Sequence, residues 1–257
     1  VDVIMWILLW TLMGCGEEAD KSQQTNDDST LDTDDTALEL DTDDTVDTAS
    51  FEDTGIQTDS GENSDEEDSG EETCEPPVYD PNPFASGIVD YTPGPNAGFG
   101  QDQLPSIVLG PPLGGGENSG SLDVLTLGDG GSITLSFDIP ITNGEGPDLI
   151  VFENPFIGWY ETGVVSVSPD GETWYAWDCD FNNESELYPG CAGTSPVLSH
   201  PDNCIDAREP TLAGGNAYDL TDLGLESATF VRITDSNANS SGGFDLDAVV
   251  IVHGSLE

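Results

Sequence analysis

From residue 74 onward the chain is cut at short intervals by clusters of Gly, Pro and Asn, at Gly110–Gly116, Gly128–Gly131 and Asn143–Pro147. Each cluster favours a turn, because Gly admits positive φ and Pro withholds an amide donor. No segment between them sustains a helical period. They read as strands. Ile133, Leu135 and Phe137 alternate with Ser132, Thr134, Ser136 and Asp138, which predicts one buried and one wet face. Leu149–Phe152 is a continuous apolar run, as in a strand covered on both faces. Val164–Ser168, Thr173–Trp177, Thr229–Thr234 and Phe244–His253 follow, with weaker candidates at Gly87–Tyr91, Ile107–Leu109 and Leu122–Leu127. Ala217–Leu225 is expected to add one helical turn. Many short strands with frequent turns predict an all-β fold, an antiparallel β-sandwich or jelly roll.

The stretch before this domain is of another kind. Gly16–Thr73 is rich in Asp, Glu, Thr and Ser, has Phe51 as its only aromatic residue, and repeats Leu-Asp-Thr-Asp-Asp-Thr at Leu31–Thr36 and Leu40–Thr45. Low hydrophobicity and dense like charge do not offset the entropy of ordering, so a disordered linker extended by self-repulsion is expected. Ahead of it lies an apolar run, Val3–Met13, interrupted only by Thr11 and followed by Gly14-Cys15. The run has the length of a signal-peptide core and is too short for a stable membrane span. Leu12-Met13-Gly14-Cys15 resembles the lipobox of bacterial lipoproteins. That resemblance implies cleavage after Gly14 and a lipid on Cys15. The flank before the run lacks Lys and Arg and carries Asp2, so an alternative start or further residues upstream are expected. The predicted layout is 1–14 signal peptide, 15–73 lipidated Cys plus linker, and 74–257 β-sandwich domain. The domain is then held at the cell envelope, at the outer membrane or cell surface.

Charge narrows the partners. The chain carries 52 Asp+Glu against 3 Lys+Arg, a formal net charge of −49, and its only basic residues past the linker are Arg208 and Arg232. Such a surface repels nucleic acid and favours cations or neutral ligands. Apart from Cys15 there are four cysteines, Cys74, Cys179, Cys191 and Cys204. In an exported chain they read as two disulfides with three connectivities. The short loop Asp180–Gly190 favours Cys179–Cys191, leaving Cys74 for Cys204. A zinc site is the rival, although no C-x-x-C occurs and only His200 lies nearby.

Two segments carry a resemblance. Val165–Trp174 reads as a strand, an Asp170-Gly171 turn and a return opening with Trp174, and Ala228–Asp235 contains Phe230-Val231-Arg232-Ile233. This pair resembles the discoidin-type modules of the galactose-binding-like superfamily. The longer stretch from Gly114 to Val252 is similar to a family of uncharacterised bacterial cell-surface proteins. The similarity lies in Gly131–Phe137, Asp148–Asn154, Cys191–Gly193 and Gly242–Ala248. The resemblance implies a jelly-roll β-sandwich and says little about activity, since a fold hosts many functions.

The last predicted strand is the most chemically informative segment. Strict alternation from Phe244 puts Phe244, Leu246, Ala248, Val250 and Val252 on one face and Asp245, Asp247, Val249 and Ile251 on the other. Two acids at the end of an apolar face need compensation. One solution is structural Ca²⁺, with Asp245 and Asp247 joined by Asp235, Asn237, Glu153 and Asn154. Galactose-binding-like modules often hold Ca²⁺ near an acidic final strand, so the resemblance implies the same. The other solutions are Arg232 as counter-ion, or an exposed strand end.

Catalysis has little to stand on. The chain has only His200 and His253 as imidazole bases, and carboxylates are too abundant to single out a hydrolytic pair. A non-enzymatic role is expected. The aromatic residues Trp159, Tyr160 and Tyr188, with Trp177, are candidates for a sugar-stacking platform. Trp174 and Trp177 read rather as sandwich core, and Tyr188 also reads as packing on the disulfide loop. Two functions remain: a binding module for a glycan or surface protein, and a structural envelope protein without a small ligand.

Overall fold

The computed structural model describes residues 74–238 and 242–255. The predicted signal peptide, Cys15 and the acidic linker lie outside the described residues. The domain is all-β and antiparallel. A five-stranded sheet runs in the order β1 (Gly87–Thr92), β3 (Ser132–Thr142), β8 (Ser227–Asp235), β5 (Gly163–Ser168), β6 (Tyr175–Ala176). A three-stranded sheet has β4 (Leu149–Phe152) between β10 (Ala248–Ile251) and β7 (Asn216–Tyr218). A small ribbon pairs β2 (Leu125–Thr126) with β9 (Asp245–Leu246).

The main core lies between the two larger sheets. Ile133, Leu135, Val165, Val167, Val231 and Ile233 from one meet Leu149, Val151, Val249 and Ile251 from the other. The inward set Ile133 and Leu135 continues through buried Ile139 and Ile141, but the other face is not wet throughout: Thr134 is buried and accepts from Arg232. The pairing with β8 shifts register between Ser136 and Ile141, around Pro140, which has no amide to donate. Leu149–Phe152 is buried throughout, as its composition predicts. Its second face, Ile150 and Phe152, packs in a separate cluster with Phe84, Val197, Ala207, Ala213, Ala248 and Val250.

Three expectations change. Ile107–Leu109 is not a strand, and Ser106–Val108 forms a 3-10 turn with Ile107 and Val108 buried. Ala217 lies in β7, and only Leu220–Leu223 is helical, as one 3-10 turn capped by the Asp219 side chain accepting from the Thr221 amide. The last strand is not continuous. It pairs with β2 before Asp247 and with β4 after it. At the change of partner the alternation slips by one residue, so Phe244 and Leu246 share the main core with Val249 and Ile251. Ala248 and Val250 face the second cluster.

Cys74 is bonded to Cys204, and Cys179 to Cys191. All four thiols are used, which removes the zinc alternative.

Candidate functional site

The loop from β4 to β5 leaves at Glu153 and returns at Glu161, and β9 lays Asp245 beside both ends. One carboxylate oxygen from each of Glu153, Glu161 and Asp245 lies within 4.8 Å of the others. Glu153 and Glu161 are only 2% and 8% exposed. The Asp245 amide donates to Glu153 Oε1 at 3.3 Å, while Oε2 is buried with no hydrogen-bond partner among the described residues. The Thr126 hydroxyl donates to Asp245 Oδ1. Gly242 passes so close that a Cβ there would lie 1.9 Å from Glu161 Oε1.

Burial first, then the charges of Asp245 and Glu161, pushes Glu153 well above the usual carboxylate range, and the amides of Asp245 and Asn154 offset part of this. Glu161 is raised to about 7, mainly by burial and Asp245. The neighbouring Trp159 side chain pulls the other way. Burial raises Asp245 too, against the Thr126 hydroxyl and with the Asp235 charge. Two full charges 4.8 Å apart repel by about 3 kcal/mol at an effective dielectric of about 20. Three acids so placed need protons or a cation.

Among the described residues no arginine supplies it. Arg232, the alternative to Ca²⁺ as counter-ion, stands over the Trp174 ring and donates from Nε to Thr134 Oγ1. Arg208 pairs with Asp206 at 2.9 Å.

The other expected ligands are elsewhere or committed. The slip at Asp247 turns its carboxylate away from Asp245, and it accepts from the Leu113 amide at 3.1 and 3.0 Å. Burial lifts Asp247 to about 8, the Leu113 amide opposes this, and the Asp123 charge adds to it. Asp235 is spent as a staple. Its Oδ1 accepts from the Gly130 and Asn237 amides, and its Oδ2 from the Phe244 amide. Asn237 is an exposed left-handed turn residue with φ 54°. The Asn154 side-chain amide donates to the Ser121 carbonyl at 2.7 Å. No sequence motif marks Glu161; its only signal is its mirrored place across the β4–β5 loop from Glu153.

That loop also carries the aromatics. Phe156, Ile157 and Trp159 are 38%, 67% and 46% exposed. The Phe156 and Trp159 rings lie 6.4 Å apart at an interplanar angle of 9°. The Trp159 amide donates to the Phe156 carbonyl, and Gly158 takes φ 88° to make this turn. Tyr160 packs edge-on against Tyr188 at 6.4 Å, both rings half-buried beside the Cys179–Cys191 loop. Trp177 is no part of the surface. It is buried against Tyr218 and donates to the Asp219 carbonyl.

His253 Nδ1 lies 3.0 Å from the fully buried Asp148, and His200 Nδ1 accepts from the Asp202 amide. Among the described residues neither ring is hydrogen-bonded to a Ser, Thr or Cys side chain. No helix among them is long and apolar enough to cross a membrane.

Together these features define an all-β domain with a buried tricarboxylate cluster at the foot of an exposed aromatic loop. No protein-family model matches the sequence, and a search of curated proteins finds no relative.

Proposed function

We propose that the chain is a non-catalytic binding module, galactose-binding-like in type, displayed outside the cytoplasm on a lipid anchor at Cys15. Its contact surface is the β4–β5 loop, and its ligand a neutral glycan or a surface protein. The exposed Phe156–Ile157–Trp159 group carries this reading. Near-parallel rings on a solvent-facing loop suit stacking on apolar sugar faces, while the acidic surface disfavours anionic ligands. Two disulfides support an oxidising compartment.

The test is a glycan array probed with the full chain and with Trp159→Ala. Binding by the wild type that falls at least about tenfold in the variant is expected, the loss of one stacked aromatic. Wild-type binding that the variant keeps moves the contact surface away from this loop. No binding to any glycan or to surface extracts favours the structural envelope protein instead.

A further inference from the structure

We propose that Glu153, Glu161 and Asp245 together bind one Ca²⁺ ion, which clamps the two ends of the β4–β5 loop and thereby holds Trp159 in its binding position. The ion site stands on its own observations; its control over Trp159 rests on the reading of that loop as the contact surface.

The geometry suits one shared ion. Oxygens that each sit about 2.4 Å from one Ca²⁺ are no more than about 4.8 Å apart, and these three meet that limit. The cluster is also more than an accumulation of acids. Glu153 is 2% exposed and its Oε2 has no hydrogen-bond partner among the described residues. Native structures seldom leave a buried carboxylate oxygen unsatisfied without an ion or water to take it up. Asp235, the nearby fourth acid, has both oxygens committed to backbone amides, whereas Glu153 does not. Both described arginines are engaged elsewhere, with Trp174 and with Asp206. A hard oxygen-only donor set selects Ca²⁺ over softer metals, and a partly exposed Asp245 leaves room for the waters that complete its shell.

The coupling is local. Glu153 and Glu161 are the two ends of the loop, and Trp159 stands two residues before Glu161, in the turn its amide closes on the Phe156 carbonyl. An ion that fixes Glu161 therefore restrains the short stretch of backbone that carries the ring.

The test uses the full chain with its disulfides formed, in about 0.15 M salt to screen diffuse binding by the acidic surface. Ca²⁺ is titrated calorimetrically, and Tb³⁺ serves as a luminescent stand-in excited through Trp. One saturable Ca²⁺ site is expected, raising Tm by about 5–10 °C at a hundredfold excess over Kd. Glu153→Gln and Glu161→Gln weaken it at least about tenfold, while Asp247→Asn leaves it intact. Trp159→Phe keeps Ca²⁺ binding and loses most Tb³⁺ emission. Equal Tm in Ca²⁺ and in chelator, or unchanged affinity in Glu153→Gln with Glu161→Gln, overturns the site and means that the cluster holds protons. Ca²⁺ binding with an unaltered Trp159 environment overturns the coupling alone. If the site binds Ca²⁺ but no glycan binds with or without chelator, the contact-surface reading fails and the ion site stands.

Discussion

The guanidinium carbon of Arg232 lies 3.7 Å from the centroid of the Trp174 ring, and its Nε donates to Thr134 on the neighbouring strand. One of the few cations in a chain of net charge −49 thus covers an aromatic ring instead of neutralising acids. Arg232→Ala is expected to lower stability by about 1–2 kcal/mol, from the lost cation–π contact and hydrogen bond. Urea denaturation measures this. Calorimetry on the same variant should find Ca²⁺ affinity unchanged; a large change would mean that Arg232 does serve the acidic cluster.

Asp235 ties Gly130, Asn237 and Phe244 together through their backbone amides. Asp235→Ala strands three donors, of which the Phe244 amide is buried while Gly130 and Asn237 are exposed, and should cost about 2 kcal/mol. Asp235→Asn keeps one acceptor oxygen and should recover part of the loss. The order of the two midpoints in guanidinium tests this; an equal and small loss would show that water replaces the staple.

Asp247 has a folded-state value of about 8, raised chiefly by burial. A carboxyl raised on folding contributes most below its unfolded value of about 4, and that contribution is lost as pH climbs through about 8. Between those limits the native state binds the extra proton, so unfolding free energy falls with pH. Asp247→Asn removes the titration and keeps an acceptor for the Leu113 amide. Stability compared at about pH 5 and pH 9 should decline less in the variant, by on the order of 1–3 kcal/mol. Parallel pH curves for the two proteins would show that Asp247 stays charged.

The two disulfides span very different lengths of chain, 130 residues for Cys74–Cys204 and 12 for Cys179–Cys191. Loop-closure entropy assigns about 5 kcal/mol to the long link and about 3 kcal/mol to the short one. Replacing Cys74 and Cys204 by Ala should therefore lower Tm more than replacing Cys179 and Cys191. The reverse order would indicate that the Cys179–Cys191 loop holds up the packing around Tyr188 and Trp177.

Much of the fold is legible locally. Leu149–Phe152 matches its strand end to end, and the Asp170-Gly171 turn is recognisable from its residues. There Ser168 Oγ accepts from the Gly171 amide and Asp170 Oδ1 from the Glu172 and Thr173 amides. Ile107–Leu109 misleads because three apolar residues suit a buried turn as well as a strand. Asn216–Tyr218 has no apolar alternation of its own and is a strand because β4 offers it an edge.

The acidic site was half legible. Glu153 and Asp245 stand out as acids beside apolar strands, but Asp247 looks equivalent to Asp245 in a linear pattern. Its departure follows from the change of pairing partner, from β2 to β4, which no local period encodes. Strand alternation, turn chemistry, the cysteine count and the charge imbalance are properties of neighbours along the chain, so the amino-acid sequence alone determined them. Which acids meet was decided only by the tertiary structure. Glu153 and Asp245 are 92 residues apart, and only the non-local closure of β4, β9 and the β4–β5 loop brings them and Glu161 together in a place too dry for three separate charges.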